Sequence, residues 1–270
     1  MLASLLLVLL AIVPVVPPAP PAILNEASTR PLSALAQRLR TERLAVARDG
    51  AGQPVTAFGL PAQEARILLL PVDRSRALPE GYRPPDLTWV GGRSVREIVK
   101  PDLVAMIEAA SAEGVEIVPI SGFRAPDEQA LAFDSAVWSA MARAGGEIDL
   151  AEAETRTSRF VAPPGHSQHQ LGTAVDFSTW EINYGIQPRF AETAAGRWLE
   201  ARGWEYGFVL SYTRQGEDRS GYAYEPWHFR WVGRDLAALL QRDGYLDHPT
   251  LIVDDYLRAA EEVLIAEGIP

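Results

Sequence analysis

Short apolar segments alternate with helical segments of unequal length along most of the chain, and this irregular order constrains the fold more than any other feature. The candidate strands are ARILLLPVDR, VEIVPISGF, TAVDF, YGFVLSY and WHFRWV. A doubly wound parallel sheet requires regular strand–helix–strand units, which are lacking here. The sequence therefore predicts an α+β fold, in which a small and mostly antiparallel sheet is flanked by helices.

Apolar residues at helical spacing predict the helices that separate and follow these strands. After Lys100, for example, Leu103, Ile107 and Ala110 share one face, and Gly114 follows as a stop signal. Patterns of this kind predict helices at 31–48, 100–113, 125–145, 150–157, 190–203, 234–242 and 253–266. The proline-punctuated stretch ALPEGYRPPDLTWVGGRS is predicted to be extended.

The composition limits both the partners and the chemistry of the protein. The 270 residues carry a formal net charge of −10, which argues against binding to nucleic acid through general electrostatic attraction. The chain has no cysteine, so disulfides, iron–sulfur clusters and thiolate zinc sites are excluded. Any bound metal must therefore be held by histidine and carboxylate side chains.

An apolar run followed by a proline-rich tail, MLASLLLVLLAIVPVVPPAPPA, opens the chain. A buried helix is one interpretation, but the prolines disfavour a core helix. We expect residues 1–24 to be a signal peptide or an uncleaved membrane anchor, and the body of the protein to be exported to the periplasm or cell envelope. Residues 25–77 are predicted to be a linker and an N-terminal extension.

The stretch PPGHSQHQLGTAVDFS contains His166 and His169, two of the four histidines in the chain. Asp176 follows in the apolar segment TAVDF, where burial of a carboxylate is costly unless a cation lies beside it. A salt bridge to an arginine is one explanation for this aspartate. Coordination of a metal ion together with His169 is the other.

The segment YEPWHFRWV supplies His228 on a predicted strand that follows Pro226. Taken alone, His228 would be interpreted as a core histidine among aromatic side chains. Together, His169, Asp176 and His228 form the ligand set of a catalytic zinc, which keeps a fourth position for water. Glu225, three residues before His228, is suited to accept a proton from that water.

Arg124 follows a predicted buried strand in ISGFRAPDEQ. A surface arginine is one interpretation of this residue. Alternatively, a guanidinium held at a strand end can bind a carboxylate through two parallel hydrogen bonds or stabilise a developing oxyanion. The second interpretation makes Arg124 a candidate for substrate binding and catalysis.

The segments SGFRAPDEQ, SQHQLGTAVDFS and EPWHFRWVG, in this order, resemble the D-alanyl-D-alanine carboxypeptidases of the VanY type. That family belongs to the zinc peptidases that include D-Ala-D-Ala dipeptidases and share a fold with the hedgehog signalling domain. The combination of S-G-[FY]-R, S-x-H-x(6)-D and E-x-x-H is specific. The resemblance covers roughly residues 78–240 and implies a hedgehog/DD-peptidase-like fold. We place the zinc carboxypeptidase domain at 78–246 and a C-terminal helix at 247–270. His166 stands where the family requires no histidine, so we expect it to be a loop residue.

The resemblance also implies roles for individual residues. It implies one zinc ion per chain, with His169, Asp176 and His228 as its ligands. Glu225 would be the catalytic base, and Arg124 would face the substrate or the transition state. Three further motif positions are implied to lie near the substrate, namely Ser121, Gln129 and Ser167.

The activity implied by the resemblance is removal of the C-terminal D-alanine from peptidoglycan stem peptides that end in D-Ala-D-Ala. The same zinc site would also serve an L,D-carboxypeptidase or a peptidoglycan endopeptidase. A zinc-stabilised cell-wall binding module without catalysis is a hypothesis of another class. Such a module would need neither Glu225 nor Arg124, and both are present.

Overall fold

The computed structural model describes residues 37, 47–48, 54–56, 58–248, 251–266 and 268–269. Within these residues the strands are β1 (Ala47–Arg48), β2 (Pro54–Val55), β3 (Leu87–Val90), β4 (Arg93–Arg96), β5 (Val118–Ser121), β6 (Ala174–Ser178), β7 (Phe208–Leu210) and β8 (His228–Trp231). The α-helices are α1 (Ala65–Leu68), α2 (Lys100–Ala112), α3 (Pro126–Arg143), α4 (Leu150–Thr157), α5 (Ala194–Arg202), α6 (Glu217–Ser220), α7 (Arg234–Arg242) and α8 (Val253–Ala266). The predicted α+β class, with small antiparallel sheets, is confirmed.

Strands β5, β6, β8 and β7, in that spatial order, form the central antiparallel sheet. The register pairs Asp176 on β6 with His228 on β8 and with Ser121 on β5. Directly paired residues share a face of a sheet, so these three polar side chains lie on the same side. Val175 and Phe177, on either side of Asp176 in β6, face the opposite side of the sheet and are fully buried in the core. The sheet thereby separates a polar site from the apolar interior.

A hairpin formed by β3 and β4 packs against the end of β5. Its turn residues, Gly91 and Gly92, have φ values of 56° and 77°, as a tight two-residue turn requires. A Cβ atom at Gly122 would lie 2.3 Å from the carbonyl oxygen of Ser94, so this close approach depends on glycine. The sequence predicts an extended stretch over residues 77–94, and the structure shows that its last part forms β3 and the start of β4, which pair with each other.

Most of the predicted helices are confirmed, with small changes at their ends. The helices predicted at 100–113, 125–145, 150–157, 234–242 and 253–266 are α2, α3, α4, α7 and α8. Helix α5 begins later than predicted because the Thr193 hydroxyl caps it, accepting a hydrogen bond from the Gly196 amide at 3.0 Å. The helix predicted at 31–48 lies mostly outside the described residues, and its last two residues form β1 instead.

The strand predicted at ARILLLPVDR is wrong, because this segment is the helical turn α1 followed by a loop. The Leu68 amide donates to the Glu64 carbonyl, and the Ala65 and Leu68 side chains are buried. The carbonyl groups of Leu68 and Leu70 accept hydrogen bonds from the Arg230 guanidinium instead of from a neighbouring strand. A short apolar run fits a buried helical turn as well as a strand, so the pattern alone does not distinguish them.

The C-terminal helix α8 packs into the same hydrophobic core as the central sheet. Its residues Leu257, Val263 and Leu264 are buried in that core. Among the described residues, no helix combines the length and the apolar character needed to cross a bilayer. The predicted signal peptide or anchor at 1–24 lies outside the described residues, and the predicted domain limits stay predictions.

Candidate metal centre

A short 3₁₀ helix, Gln168–Leu171, carries His169 into the site. The Ser167 hydroxyl caps this helix by accepting a hydrogen bond from the His169 amide at 3.3 Å. Gly172 ends it with a φ of 70°, a left-handed conformation that glycine adopts readily. Strand β6 begins two residues later, so one short piece of chain supplies both His169 and Asp176.

The side chains of His169, Asp176 and His228 meet at one buried point, as the sequence predicts. Nε2 of His169 lies 3.1 Å from Oδ2 of Asp176, and Nδ1 of His228 lies 2.9 Å from Oδ1 of the same carboxylate. The two imidazole rings are nearly perpendicular, with centroids 4.8 Å apart. One ligand atom from each residue lies within 4.8 Å of the other two. Two imidazole nitrogens and a carboxylate oxygen suit a tetrahedral zinc with one open position, so the donor set fits the predicted ion.

The second ring nitrogen of each histidine contacts a carbonyl oxygen. Nδ1 of His169 lies 2.7 Å from the Gly122 carbonyl oxygen, and Nε2 of His228 lies 3.1 Å from Oε1 of Gln168. A carbonyl oxygen can only accept, so these two nitrogens are the protonated ones. In the neutral form of each ring, Nε2 of His169 and Nδ1 of His228 therefore hold the lone pairs that a metal requires, whereas in the protonated form they donate to Asp176.

Burial and charge set the protonation states of the ligand group. Burial alone would raise the pKa of Asp176, but the charges and hydrogen bonds of His169 and His228 hold that pKa well below its usual range. Burial lowers the pKa of His228, and Asp176 opposes this shift without reversing it. Both directions favour the deprotonated forms, which are the forms that bind a metal.

Glu225 lies in the turn that leads into β8. Its amide donates to the Tyr212 carbonyl at 3.2 Å, and its carbonyl accepts from the His228 amide at 3.0 Å. Oε2 of Glu225 is 3.9 Å from Nδ1 of His228, which places the carboxylate beside the ligand group. Burial raises the pKa of Glu225 well above its ordinary value, Asp176 adds to this effect, and Arg124 opposes it. A raised pKa suits a carboxylate that must both accept and release a proton near neutral pH.

Arg124 is anchored at the same end of the central sheet. Its backbone amide donates to the His169 carbonyl at 3.2 Å. Its guanidinium donates to Oε1 of Gln129 at 3.0 Å and to the Ser121 hydroxyl at 3.2 Å. The Gln129 amide in turn donates to the Ala162 carbonyl at 2.6 Å. Two of the predicted substrate-site residues thus fix the guanidinium, and these bonds use only part of its donor capacity.

Ser167 and His166, which lie in the same stretch as His169, are not part of the ligand group. Ser167 is buried and caps the 3₁₀ helix, and its predicted role in substrate binding stays a prediction. Nδ1 of His166 lies 2.7 Å from the Asp73 carbonyl oxygen, and His166 is not part of the ligand group. This arrangement agrees with the expectation that His166 is a loop residue.

Three residues around the site were missed by the sequence analysis. The Tyr212 ring stacks on the imidazole of His228, with centroids 4.9 Å apart and an interplanar angle of 29°. Gln168 contacts His228 and also Asp254, which lies on α8. Gln168 lies between Ser167 and His169 in the sequence, so its position could have indicated that it is near the metal ligands. No sequence pattern indicates this for Asp254, because only tertiary packing brings it to the site.

The fold and the buried two-histidine, one-carboxylate group define a class, the zinc peptidases with a hedgehog-like fold. The family described as VanY, D-alanyl-D-alanine carboxypeptidase, matches residues 92–234. The chain therefore belongs to the VanY family.

Individual relatives support this assignment. The chain is 33% identical over 211 residues to YodJ of Bacillus subtilis, and the alignment covers 74% of this chain and 71% of that protein. It is 31% identical over 195 residues to a D-alanyl-D-alanine carboxypeptidase of Enterococcus faecalis, with coverage of 72% and 66%.

Solved structures of related enzymes share the fold. VanYB in complex with D-alanine-D-alanine is 29% identical, with a TM-score of 0.59 over 70% of this chain and 97% of that one. A zinc-bound vancomycin-resistance VanY is 27% identical, with a TM-score of 0.59 and coverage of 71% and 99%. The LdcB LD-carboxypeptidase is 28% identical, with a TM-score of 0.61 and coverage of 80% and 94%.

Proposed function

We propose that the protein is a zinc-dependent D-alanyl-D-alanine carboxypeptidase that removes the terminal D-alanine from peptidoglycan stem peptides. The observation that carries this proposal is the buried group of His169, Asp176 and His228 with the Glu225 carboxylate beside it. Membership of the VanY family supports the proposal, as does the similarity to a VanY structure that holds D-alanine-D-alanine.

The roles of the site residues follow from their chemistry. Zinc held by His169, Asp176 and His228 would polarise the scissile carbonyl group and lower the pKa of a water molecule. We assign Glu225 as the general base, which accepts a proton from the attacking water and passes it to the departing amine of D-alanine. Its burial and raised pKa support both proton transfers.

We assign Arg124 to the carboxylate of the terminal D-alanine. Ser121 and Gln129 hold its guanidinium in place, so little side-chain entropy is lost when a carboxylate binds. These two residues would act on the substrate through Arg124. Ser167 keeps its assignment to the substrate site because of its motif position.

An L,D-carboxypeptidase is the second candidate, because the LdcB LD-carboxypeptidase shares the fold over most of the chain. A peptidoglycan endopeptidase is less well supported, since it has no need for a fixed arginine that binds a free carboxylate. A non-catalytic binding module is disfavoured for a similar reason, because it would need neither Arg124 nor a buried Glu225.

We also propose that the protein acts outside the cytoplasm, on peptidoglycan stem peptides. The apolar start and the proline-rich tail support export, with residues 1–24 as a signal peptide or membrane tether. The net charge of −10 supports the absence of a nucleic-acid partner.

Mass spectrometry of defined peptides tests the proposal. The wild type should remove one alanine from a pentapeptide that ends in D-Ala-D-Ala. It should cleave the C-terminal amide of that peptide at least about 100-fold more slowly, or about 2.7 kcal/mol, because the amide leaves the guanidinium unpaired. A tetrapeptide that ends in L-lysyl-D-alanine tests the L,D alternative in the same assay.

Arginine variants assign the discrimination between acid and amide to one residue. Arg124→Ala should reduce it, whereas Arg156→Ala, which removes an exposed arginine on α4, should leave it unchanged. Equal cleavage of acid and amide by the wild type would indicate an endopeptidase. Cleavage of the tetrapeptide alone would indicate an L,D-carboxypeptidase.

A further inference from the structure

The Gln168 side chain connects the metal centre to the C-terminal helix α8. Its Oε1 atom lies 3.1 Å from Nε2 of His228 and accepts a hydrogen bond from the Ser211 hydroxyl at 2.8 Å. Its Nε2 atom donates to Oδ1 of Asp254 at 3.4 Å. Gln168, Ser211 and Asp254 are no more than 2% exposed, so bulk water does not compete for these contacts.

The Asp254 carboxylate determines which way the Gln168 amide points. Above its raised pKa of about 7 the Asp254 carboxylate is ionised and can only accept hydrogen bonds, so the amide nitrogen faces Asp254 and the amide oxygen faces His228. In the flipped orientation two acceptors would oppose each other in a buried site, which is costly. The amide oxygen then selects the tautomer of His228 with its proton on Nε2 and leaves the Nδ1 lone pair for a metal.

Asp254 reaches the site from outside the part of the chain that matches the VanY family, which ends at residue 234. Its neighbours Val253 and Leu257 on α8 belong to the hydrophobic core. A carboxylate at such a position is expensive to bury, and core packing alone gives no reason for it. The hydrogen bond to Gln168 and the charges of Arg230 and Arg258 offset part of this cost.

We infer that Gln168 and Asp254 are positioning residues of the metal centre. Asp254 orients the Gln168 amide, and Gln168 holds His228 with Nδ1 directed toward the ion. This inference rests on the zinc site of the proposed function and is independent of which peptide is cleaved.

The zinc affinity of the full chain, measured at about pH 8.5, where Asp254 is ionised, by competition with a chromophoric chelator, tests the inference. Gln168→Met keeps the length of the side chain and removes the acceptor for His228. It should weaken zinc binding about 10- to 100-fold, as is typical when the outer partner of a metal-bound histidine is lost. Asp254→Asn allows both orientations of the Gln168 amide and should weaken binding by a smaller factor. The double variant Gln168→Met/Asp254→Asn should bind zinc as tightly as Gln168→Met alone, because Asp254 acts through Gln168.

Gln170→Met is the matched control. Gln170 lies on the same 3₁₀ helix, is equally buried at 1% exposure, and donates to the Tyr82 carbonyl at 3.0 Å. Its replacement should lower the free energy of unfolding in chelator and leave zinc affinity unchanged. Gln168→Glu combined with Asp254→Asn keeps an acceptor for His228 and a donor opposite it. This pair should restore most of the affinity that Gln168→Met loses.

Wild-type zinc affinity in Gln168→Met would overturn the inference, as would an equal loss of affinity in Gln170→Met. Additive losses of zinc affinity in Gln168→Met/Asp254→Asn would overturn the role of Asp254. If Gln168→Met fails to fold, the zinc affinity of Gln168→Glu is compared with that of Gln168→Glu/Asp254→Asn. Equal affinities of these two variants would overturn the inference. These measurements contain no peptide. A protein that binds zinc tightly but leaves D-Ala-D-Ala peptides intact would therefore refute the proposed activity alone.

Discussion

Removing the charge of Asp254 should make the zinc-free protein more stable at alkaline pH. Burial raises the pKa of Asp254 to about 7, and Asp73 and Asp255 act in the same direction. Arg230 and Arg258 lower this pKa without compensating for burial. In the unfolded chain the pKa returns to an ordinary value of about 3.9. The native state thus holds a proton that the unfolded state releases, so stability falls as the pH rises from the lower value through the higher one.

The magnitude follows from the width of this window. Above about pH 5.5 the carboxyl group is ionised in the unfolded chain, whereas in the native state it stays protonated up to about pH 7. For each pH unit over which the native state binds one proton more than the unfolded state, the free energy of unfolding falls by about 1.36 kcal/mol. Between about pH 5.5 and pH 8.5 the wild type should therefore lose about 2 kcal/mol through this group. The amide introduced by Asp254→Asn does not titrate. The difference in the free energy of unfolding between variant and wild type should therefore grow by that amount.

Urea unfolding of both proteins at the two pH values, followed by tryptophan fluorescence, measures this difference. An excess of chelator is present throughout, because zinc binding would otherwise add its own stabilisation. Asp127→Asn, which replaces an exposed carboxylate in the first turn of α3, is the matched control. A difference between Asp254→Asn and the wild type that stays constant with pH would refute the reasoning.

Three further predictions concern the site and the location of the protein. Glu225→Gln should keep the fold and the zinc but lose about 10²- to 10⁴-fold in turnover, the usual contribution of a general base, and near-normal rates would assign that role elsewhere. Metal analysis should find about one zinc ion per chain. His169→Ala or His228→Ala should abolish zinc binding, and full occupancy in both variants would refute the ligand set. A reporter active only outside the cytoplasm should be active when fused to residues 1–30, and an expressed but silent fusion would contradict export.

The ligand group could be predicted from the sequence because its geometry is largely local. His169 and Asp176 come from one loop and the strand that follows it, and Glu225 is fixed relative to His228 by the turn between them. An aspartate in an apolar strand and a histidine among aromatics each have ordinary explanations. Their combination, together with Arg124 at the end of a third strand, indicates a metal site.

The features that escaped prediction depend on distant parts of the chain. The helical turn α1 has the apolar run of a strand. Only its packing determines its conformation, with Arg230 bonded to the carbonyl groups of Leu68, its last residue, and of Leu70 in the loop that follows. Gln168 is a polar residue in a recognised motif, but its partner Asp254 is 86 residues away. Asp254 itself falls in the first turn of a helix, where acidic residues are common for reasons unrelated to a metal site.

The two expected effects of Asp254→Asn have opposite signs, and together they explain why α8 buries this carboxylate beside the core residues Val253 and Leu257. The substitution should stabilise the zinc-free protein at alkaline pH and weaken its zinc binding. A residue that lowers stability while it orients a metal ligand is an instance of the trade-off between stability and activity. The same helix buries Leu257 and Leu264 in the main core. A chain shortened to the family-matched residues 92–234 would therefore lose part of its core packing and the orientation of His228 at the same time.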